Sequence, residues 1–209
     1  YMNILVTSIG SFSAPATIES LRKSGRFDTI VGCDIYPSVW HNVSKNFDEV
    51  FIAPRVNESE KYFQFIKHVC DQCDINIIVP LTDVEVDFFN DHIEYFINND
   101  IVITIGSPFF LNIARNKRKL NDFCNKTDGL TPISSYSFGE LSIKSKFPLI
   151  AKPVNGRSSE GIYFVEALDH LKKDLRNTDY IYQEIIDGKI CTVDYVISSQ
   201  FGSDFCIPR

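Results

Sequence analysis

Over the first hundred residues, apolar positions fall in short and nearly continuous blocks, separated by stretches with helical spacing. The blocks are Ile4 to Thr7, Thr29 to Cys33, Glu49 to Ala53, Ile75 to Val79 and Ile101 to Ile105. A strand wetted on one face alternates apolar and polar residues, whereas one covered on both faces is apolar throughout. The blocks therefore predict strands of a parallel sheet. The intervening stretches carry helix-start signals: Pro15 just inside one helix, Asn57 with Glu60 three residues on, and Thr82 with Glu85 three residues on. Residues 1–107 are expected to form an open, doubly wound α/β domain.

The pattern changes at Ser107-Pro108. A helix carrying Leu111, Ala114, Leu120 and Phe123 is predicted there, ended by Asp128-Gly129 and Pro132. Strands follow at Ile133 to Tyr136, Phe147 to Lys152, Ile162 to Val165 and Tyr180 to Ile185, with a helical stretch from Ala167 to Leu175. Ile190 to Ser198 and Phe201 to Ile207 read as a hairpin joined at Ser199-Gln200 or by a slightly longer turn to Gly202. Residues 108–209 thus form a β-rich α+β region, with no internal repeat and no low-complexity tract.

Composition narrows the classes. The chain has 209 residues, 44% apolar and 13% aromatic, enough for one large or two small packed domains. With a net charge of −6 and no basic cluster longer than Asn116-Lys-Arg-Lys119, a nucleic-acid partner has little electrostatic footing. No apolar run approaches the ~20 residues of a membrane span, and Met2 to Ser8 lacks the charged n-region and cleavage site of a signal peptide, so no membrane association and a cytoplasmic location are expected. The six cysteines are expected to be reduced. Cys70 and Cys73 share the apolar face of a helix with Phe63 and Ile66 and lack the further ligands that a zinc site requires, so they read as core.

The chemistry concentrates in Phe147-Pro-Leu-Ile-Ala-Lys-Pro153, the loop Asn155-Gly-Arg-Ser-Ser-Glu-Gly161 and Tyr180-Ile-Tyr-Gln-Glu-Ile-Ile186. A lysine at a strand end offers a point charge to phosphate oxygens, and glycines let backbone N–H groups approach them. This arrangement resembles the ATP-grasp superfamily, in particular ligases related to the large subunit of carbamoyl-phosphate synthase, from Met2 to the end of the chain. The resemblance implies a pre-ATP-grasp domain over 1–107, then a linker helix, a first ATP-grasp lobe and the start of a second over 108–209.

On that resemblance, ATP is the cofactor. Lys117, preceded by Asn116, and Lys152, followed by the rigid Pro153, would reach its phosphates. Gly156, Arg157, Ser158, Ser159 and Gly161 would cover them, Arg157 and the serines adding a cation and hydroxyl donors. Gln183, Glu184, Ile185 and Ile186 would hold the adenine. Without the resemblance, Lys117 is a solvated lysine in a basic run, Lys152 a snorkelling strand-edge residue, and the loop an ordinary hairpin turn. Beyond the hinge the family usually shows Gly, any residue, Glu, an aromatic, Thr or Ser, Val and Asp. Here Gly188-Lys-Ile-Cys-Thr-Val-Asp194 keeps the aspartate but has Ile190 and Cys191 in place of the acidic and aromatic residues. Asp194 is a substrate-side candidate, as are Thr82 and Asp83, which follow the block ending at Val79, at the strand's carboxyl end where open α/β sheets bind ligands. Thr82 and Glu85 also read as a capping box.

The function implied is that of an ATP-dependent carboxylate–amine ligase working through an acylphosphate, with a small carboxylate as the other substrate. The family's magnesium ligands and transition-state arginine lie on later strands. Mg2+ is therefore expected only in a complete protein, and this stretch is expected to be a truncated part without turnover. The alternative is a non-catalytic nucleotide-binding or scaffold module. A nicotinamide dinucleotide would need G-x-G-x-x-G, of which only Gly10 is present, with Asp34 near the place of a ribose-binding acid. Apolar residues on the final hairpin are expected to support self-association.

Overall fold

The computed structural model describes residues 2–142, 145–156, 159–177, 179–196 and 205–208. It divides into two compact units, Tyr1–Ala114 and Arg115–Arg209. In the first, β1 (Asn3–Thr7), β2 (Thr29–Asp34), β3 (Glu49–Ile52), β4 (Ile75–Val79) and β5 (Val102–Ile103) form a parallel sheet in the order β3-β2-β1-β4-β5. All five lie within the apolar blocks or differ from them by one to two residues at an end. The central strand explains the continuous hydrophobicity. Ile4 and Val6 pack with Ala14 and Ile18 of helix α1 (Ala14–Ser24). Leu5, pointing the other way, packs with α2 (Ser59–Gln72), α3 (Asp83–Asp91) and α4 (Ile93–Asn98) through Tyr62, Ile66, Phe88, Phe89 and Phe96. Both faces are dry, as doubly wound sheets require.

Two of the helix-start signals act differently from expectation. Thr82 precedes α3, but its side chain caps no backbone N–H. Its hydroxyl donates to Glu85 Oε2 at 2.7 Å, while the Tyr62 phenol donates to Glu85 Oε1 at 2.8 Å. Glu85 is 2% exposed. A buried carboxylate takes the donors that satisfy it, so Glu85 turns inward to Tyr62 and the capping box does not form. Helix α2 begins at Ser59 after Glu58, and Glu60 accepts from Gln64 Nε2 at 2.9 Å within the helix instead of reaching back toward Asn57.

The single helix expected after Ser107 is two, α5 (Pro108–Ala114) and α6 (Lys117–Asn125). Asn116 stands between them in extended backbone, its Oδ1 accepting from the backbone N–H groups of Arg118 and Lys119, each at 3.1 Å. An asparagine that can satisfy two orphan donors favours a fresh start over continuation.

In the second unit, β6 (Ser135–Tyr136), β7 (Leu149–Pro153), β8 (Tyr163–Val165) and β9 (Tyr180–Glu184) form an antiparallel sheet ordered β6-β9-β7-β8. Leu149, Ala151, Val165 and Tyr182 face a core with Leu171 and Leu175. The helical stretch expected from Ala167 is two 3-10 turns, Leu168–His170 and Lys173–Leu175. The Leu171 carbonyl, which a helix would bond to the N–H four residues on, accepts from Arg176 Nε at 3.0 Å instead. The final hairpin pairs β10 (Val193–Val196) with β11 (Phe205–Pro208). Its turn, residues 197–204, lies outside the described residues.

Cys70 is buried and Cys73 half-buried at the end of α2. Burial, reinforced by nearby acidic groups, pushes the Cys70 thiol up to about 12 and the Cys73 thiol to about 11, so both are neutral thiols, as the core reading holds. Among the described residues no helix is long and apolar enough to cross a membrane.

Tyr62→Phe removes one of the two donors to the buried Glu85 carboxyl without opening a cavity. It should lower unfolding free energy by about 1–3 kcal/mol, read as a lower midpoint in urea denaturation. An unchanged midpoint would mean that Glu85 does not depend on the phenol.

Candidate functional site

The register of the second sheet decides which side chains meet. Lys152 lies opposite Ile181, Gln183 opposite Ile150, and Ser135 opposite Gln183. Directly paired residues share a face, and alternate residues along a strand do too. Lys152, Gln183 and Ser135 therefore occupy the face away from the Leu149 and Tyr182 core. Lys152 Nζ donates to Gln183 Oε1 at 3.2 Å, Gln183 Nε2 to Ser135 Oγ at 2.9 Å, and Ser135 Oγ lies 3.1 Å from Asn121 Oδ1 on α6.

Lys117 enters from the first turn of α6. Its backbone N–H donates to the Val154 carbonyl at 3.0 Å and its Nζ to the Gly156 carbonyl at 3.3 Å. Both acceptors lie just past β7, so the helix start is pinned to the chain leaving Lys152. Partial burial, with the neighbouring Lys152 and Arg115 cations, holds the Lys117 ammonium below its ordinary value. The first turn of α6 adds the positive end of a helix dipole. Positive potential thus accumulates beside the glycine loop, and an anion there would relieve it.

The loop is shaped by close approaches to Pro153. A Cβ on Gly161 would lie 2.9 Å from Pro153 Cγ, and the residue sits at φ +68, the left-handed region that glycine tolerates. A Cβ on Gly156 would lie 3.1 Å from Pro153 Cβ. Ser159 also adopts positive φ, at 59. Arg157 and Ser158 lie outside the described residues. Past the loop, Glu184 binds the strand beside it: its N–H donates to the Ser134 carbonyl at 3.0 Å and its Oε1 accepts from Ser134 N at 3.3 Å. Ile185 and Ile186 follow β9, 41% and 62% exposed.

The structure therefore brings together Lys117, Lys152, Gly156 and Gln183, with Gly161 against Pro153. Asp194 lies on β10, in the two-stranded sheet with β11 rather than in the sheet that carries Lys152. Thr82 and Asp83 belong to the first unit, where the Thr82 hydroxyl is bonded to Glu85. Sequence reasoning missed Asn121 and Ser135. Asn121 lies one helical turn beyond Lys117, a spacing that puts both on one side of α6. Ser135 is revealed only by strand pairing. The Asp34 carboxylate that a dinucleotide would need accepts from Gly10 N at 2.8 Å and Tyr36 N at 3.0 Å and lies 3.2 Å from His41 Nε2. Its own chain already engages it.

The site residues do not suit a divalent cation. Its side-chain charges are ammonium groups, and no group of three or more His, Cys, Asp or Glu able to hold a metal exists among the described residues. An apolar cavity of about 760 Å³, lined by Phe138, Leu141, Phe147, Leu168 and Leu171, lies on the core side of the same sheet.

Residues 4–104 match the model of the PylC-like, N-terminal domain, and residues 114–209 that of the ATP-grasp domain. The second match supports a likeness of the second unit to ATP-grasp domains. No curated protein matches the chain. Among solved structures, an L-amino acid ligase from Bacillus licheniformis is similar over 99% of this chain and 49% of its own, at 17% identity and a TM-score of 0.72. A biotin carboxylase from Campylobacter jejuni, solved as a β-γ-ATP complex, is similar over 98% of this chain and 49% of its own, at 16% identity and a TM-score of 0.75. The biotin carboxylase domain of Hydrogenobacter thermophilus 2-oxoglutarate carboxylase, in complex with MgADP, ADP and bicarbonate, covers 98% and 48%, at 13% identity and a TM-score of 0.72. At these identities the likeness concerns the fold. The chain spans about half the length of these structures.

Gly161→Ala forces a Cβ against Pro153 at a left-handed backbone angle. It should cost about 1–2 kcal/mol of stability, visible as a lower thermal midpoint. A midpoint equal to the parent's would show that the loop can adopt another path at no cost.

Proposed function

We propose that this chain binds ATP through its second unit and forms part of an ATP-dependent carboxylate–amine ligase. The observation that carries the reading is the convergence of the Lys117 and Lys152 ammonium groups, from a helix start and a strand end, beside the Gly156 to Gly161 loop. Two cations that raise each other's energy when empty are suited to a polyphosphate, whose oxygens can accept from both. The ATP-grasp match over residues 114–209 supports the same ligand.

In the reaction proposed, a substrate carboxylate oxygen attacks the γ-phosphorus of ATP, the bond to the β–γ bridging oxygen breaks, and ADP leaves. The resulting acylphosphate is then attacked by an amine, which displaces inorganic phosphate and loses a proton as the amide forms. Lys152 and Lys117 would hold the phosphate chain and offset its charge, electrostatic stabilisation being the dominant contribution in phosphoryl transfer. The loop from Gly156 would exclude water. Among such ligases, Ala151-Lys-Pro153 and Gln183 to Ile186 favour relatives of the carbamoyl-phosphate synthase large subunit. Free, neutral thiols at Cys70 and Cys73 suit a cytoplasmic setting.

Isothermal titration tests the ligand. ATP should bind more tightly than NAD, and Lys152→Ala should weaken ATP binding by about tenfold or more, with little change in the denaturation midpoint. Tighter binding of NAD than ATP, or a Lys152→Ala chain that unfolds yet keeps its affinity per folded molecule, would overturn the reading.

A second test uses pH. Burial and the Lys152 and Arg115 cations lower the Lys117 pKa below 10.5 in the free chain. A bound polyphosphate favours the charged ammonium and raises that pKa. Between the two values binding takes up a proton, so ATP affinity should fall as pH rises through the free-chain pKa, and Lys117→Arg should remove that dependence. Equal pH profiles for the parent and Lys117→Arg would place Lys117 outside the site.

A further inference from the structure

On the resemblance Gln183 is one of four residues that would hold the adenine, but the structure gives its amide other work. Lys152 carries three donors and no acceptor, so the amide oxygen must face it, which turns the amide nitrogen toward Ser135. The two distances agree: 3.2 Å from Lys152 Nζ to Oε1 and 2.9 Å from Nε2 to Ser135 Oγ. Ser135 Oγ accepts from Gln183 and shares its single proton between Asn121 Oδ1 at 3.1 Å and the Ile133 carbonyl at 2.9 Å. A polar chain therefore runs from Asn121 on α6, across Ser135 on β6 and Gln183 on β9, to Lys152 on β7.

We infer that Gln183 is a positioning residue that aims the Lys152 ammonium through an amide held by Ser135 and Asn121. This rests on the reading of Lys152 as a phosphate ligand. The need for such a device is physical. A free lysine side chain samples many rotamers, and holding it costs on the order of 2 kcal/mol of entropy. The cation on Lys117 also tends to drive Lys152 toward solvent while no anion is bound. An acceptor fixed at both of its own ends counters each effect, and the same helix that delivers Lys117 anchors the far end of the chain through Asn121. The two lysines are thereby set relative to each other by one element.

A residue acting through another loses its effect when that other residue is gone, whereas two residues that touch the ligand separately contribute separately. The experiment is a pair of double-mutant cycles with ATP as probe, read by NMR line shifts so that millimolar dissociation constants remain measurable, with the urea midpoint of each variant as a folding control. Gln183→Leu and Ser135→Ala should each weaken ATP binding about three- to tenfold in the parent chain. In the Lys152→Ala background neither should weaken it further. Ser135→Thr, which keeps the hydroxyl, should restore binding to within about twofold of the parent. Should Gln183→Leu cost the same factor with or without Lys152, Gln183 touches the nucleotide itself and the inference is wrong. It is equally wrong if Ser135→Ala leaves binding unchanged while Gln183→Leu weakens it, since the amide is then not held by the chain. Absence of ATP binding to the parent, or no effect of Lys152→Ala, is a different outcome: it removes the phosphate site, and the inference falls with it.

Discussion

Two ammonium groups held close together without a bound anion repel each other, and much of the second unit reads as an answer to that repulsion. Lys117 gives its Nζ to a backbone carbonyl at Gly156, and Lys152 gives its own to a side-chain amide at Gln183. Neither acceptor carries charge. A carboxylate in either place would neutralise the cation and leave little potential for a phosphate, whereas neutral dipoles hold the ammonium in place and keep its charge available. The small sheet supports this because its other face is dry, with Leu149, Ala151 and Tyr182 packed against Leu171 and Leu175.

The first unit solves a different problem. Its parallel strands are buried on both faces, which leaves their carboxyl ends as the place where polar groups collect. There, Glu85 is bonded to Thr82 and Tyr62, and Asp34 to the backbone of Gly10 and Tyr36. Both acids are satisfied from within the unit. A Cβ on Gly10 would come within 2.6 Å of His41 Cε1, so a larger residue there would have to displace the His41 ring. The pyrophosphate-binding loop of a dinucleotide domain needs open backbone at this point, and here that space is filled by side chains of the loop after β2.

The comparisons fit this division. The two family models match the two stretches in turn, residues 4–104 and 114–209, and the likeness to solved structures spans both. The low identities are consistent with a fold kept by hydrophobic pattern while individual polar residues change, since burial tolerates substitution among apolar side chains far better than a hydrogen-bonded chain does.

The sequence by itself determined the strands, the parallel character of the first sheet and the position of Lys152 at a strand end. Those depend on local signals: runs of apolar residues, Lys152 before Pro153, and glycines at fixed offsets. It misjudged the break at Asn116, the turns at Leu168–His170 and Lys173–Leu175, and the role of Glu85, because each depends on a partner distant in the chain or on competition between capping and continuation. Asn121, Ser135 and Gln183 are separated by up to 62 positions in sequence, and nothing local links them. Only the antiparallel register that sets Ser135 opposite Gln183, and the packing of α6 beside that strand pair, makes them one hydrogen-bonded chain ending on Lys152. Pattern decides which face of a strand is buried, but which polar groups meet across elements follows from register and packing, which only the tertiary structure decides.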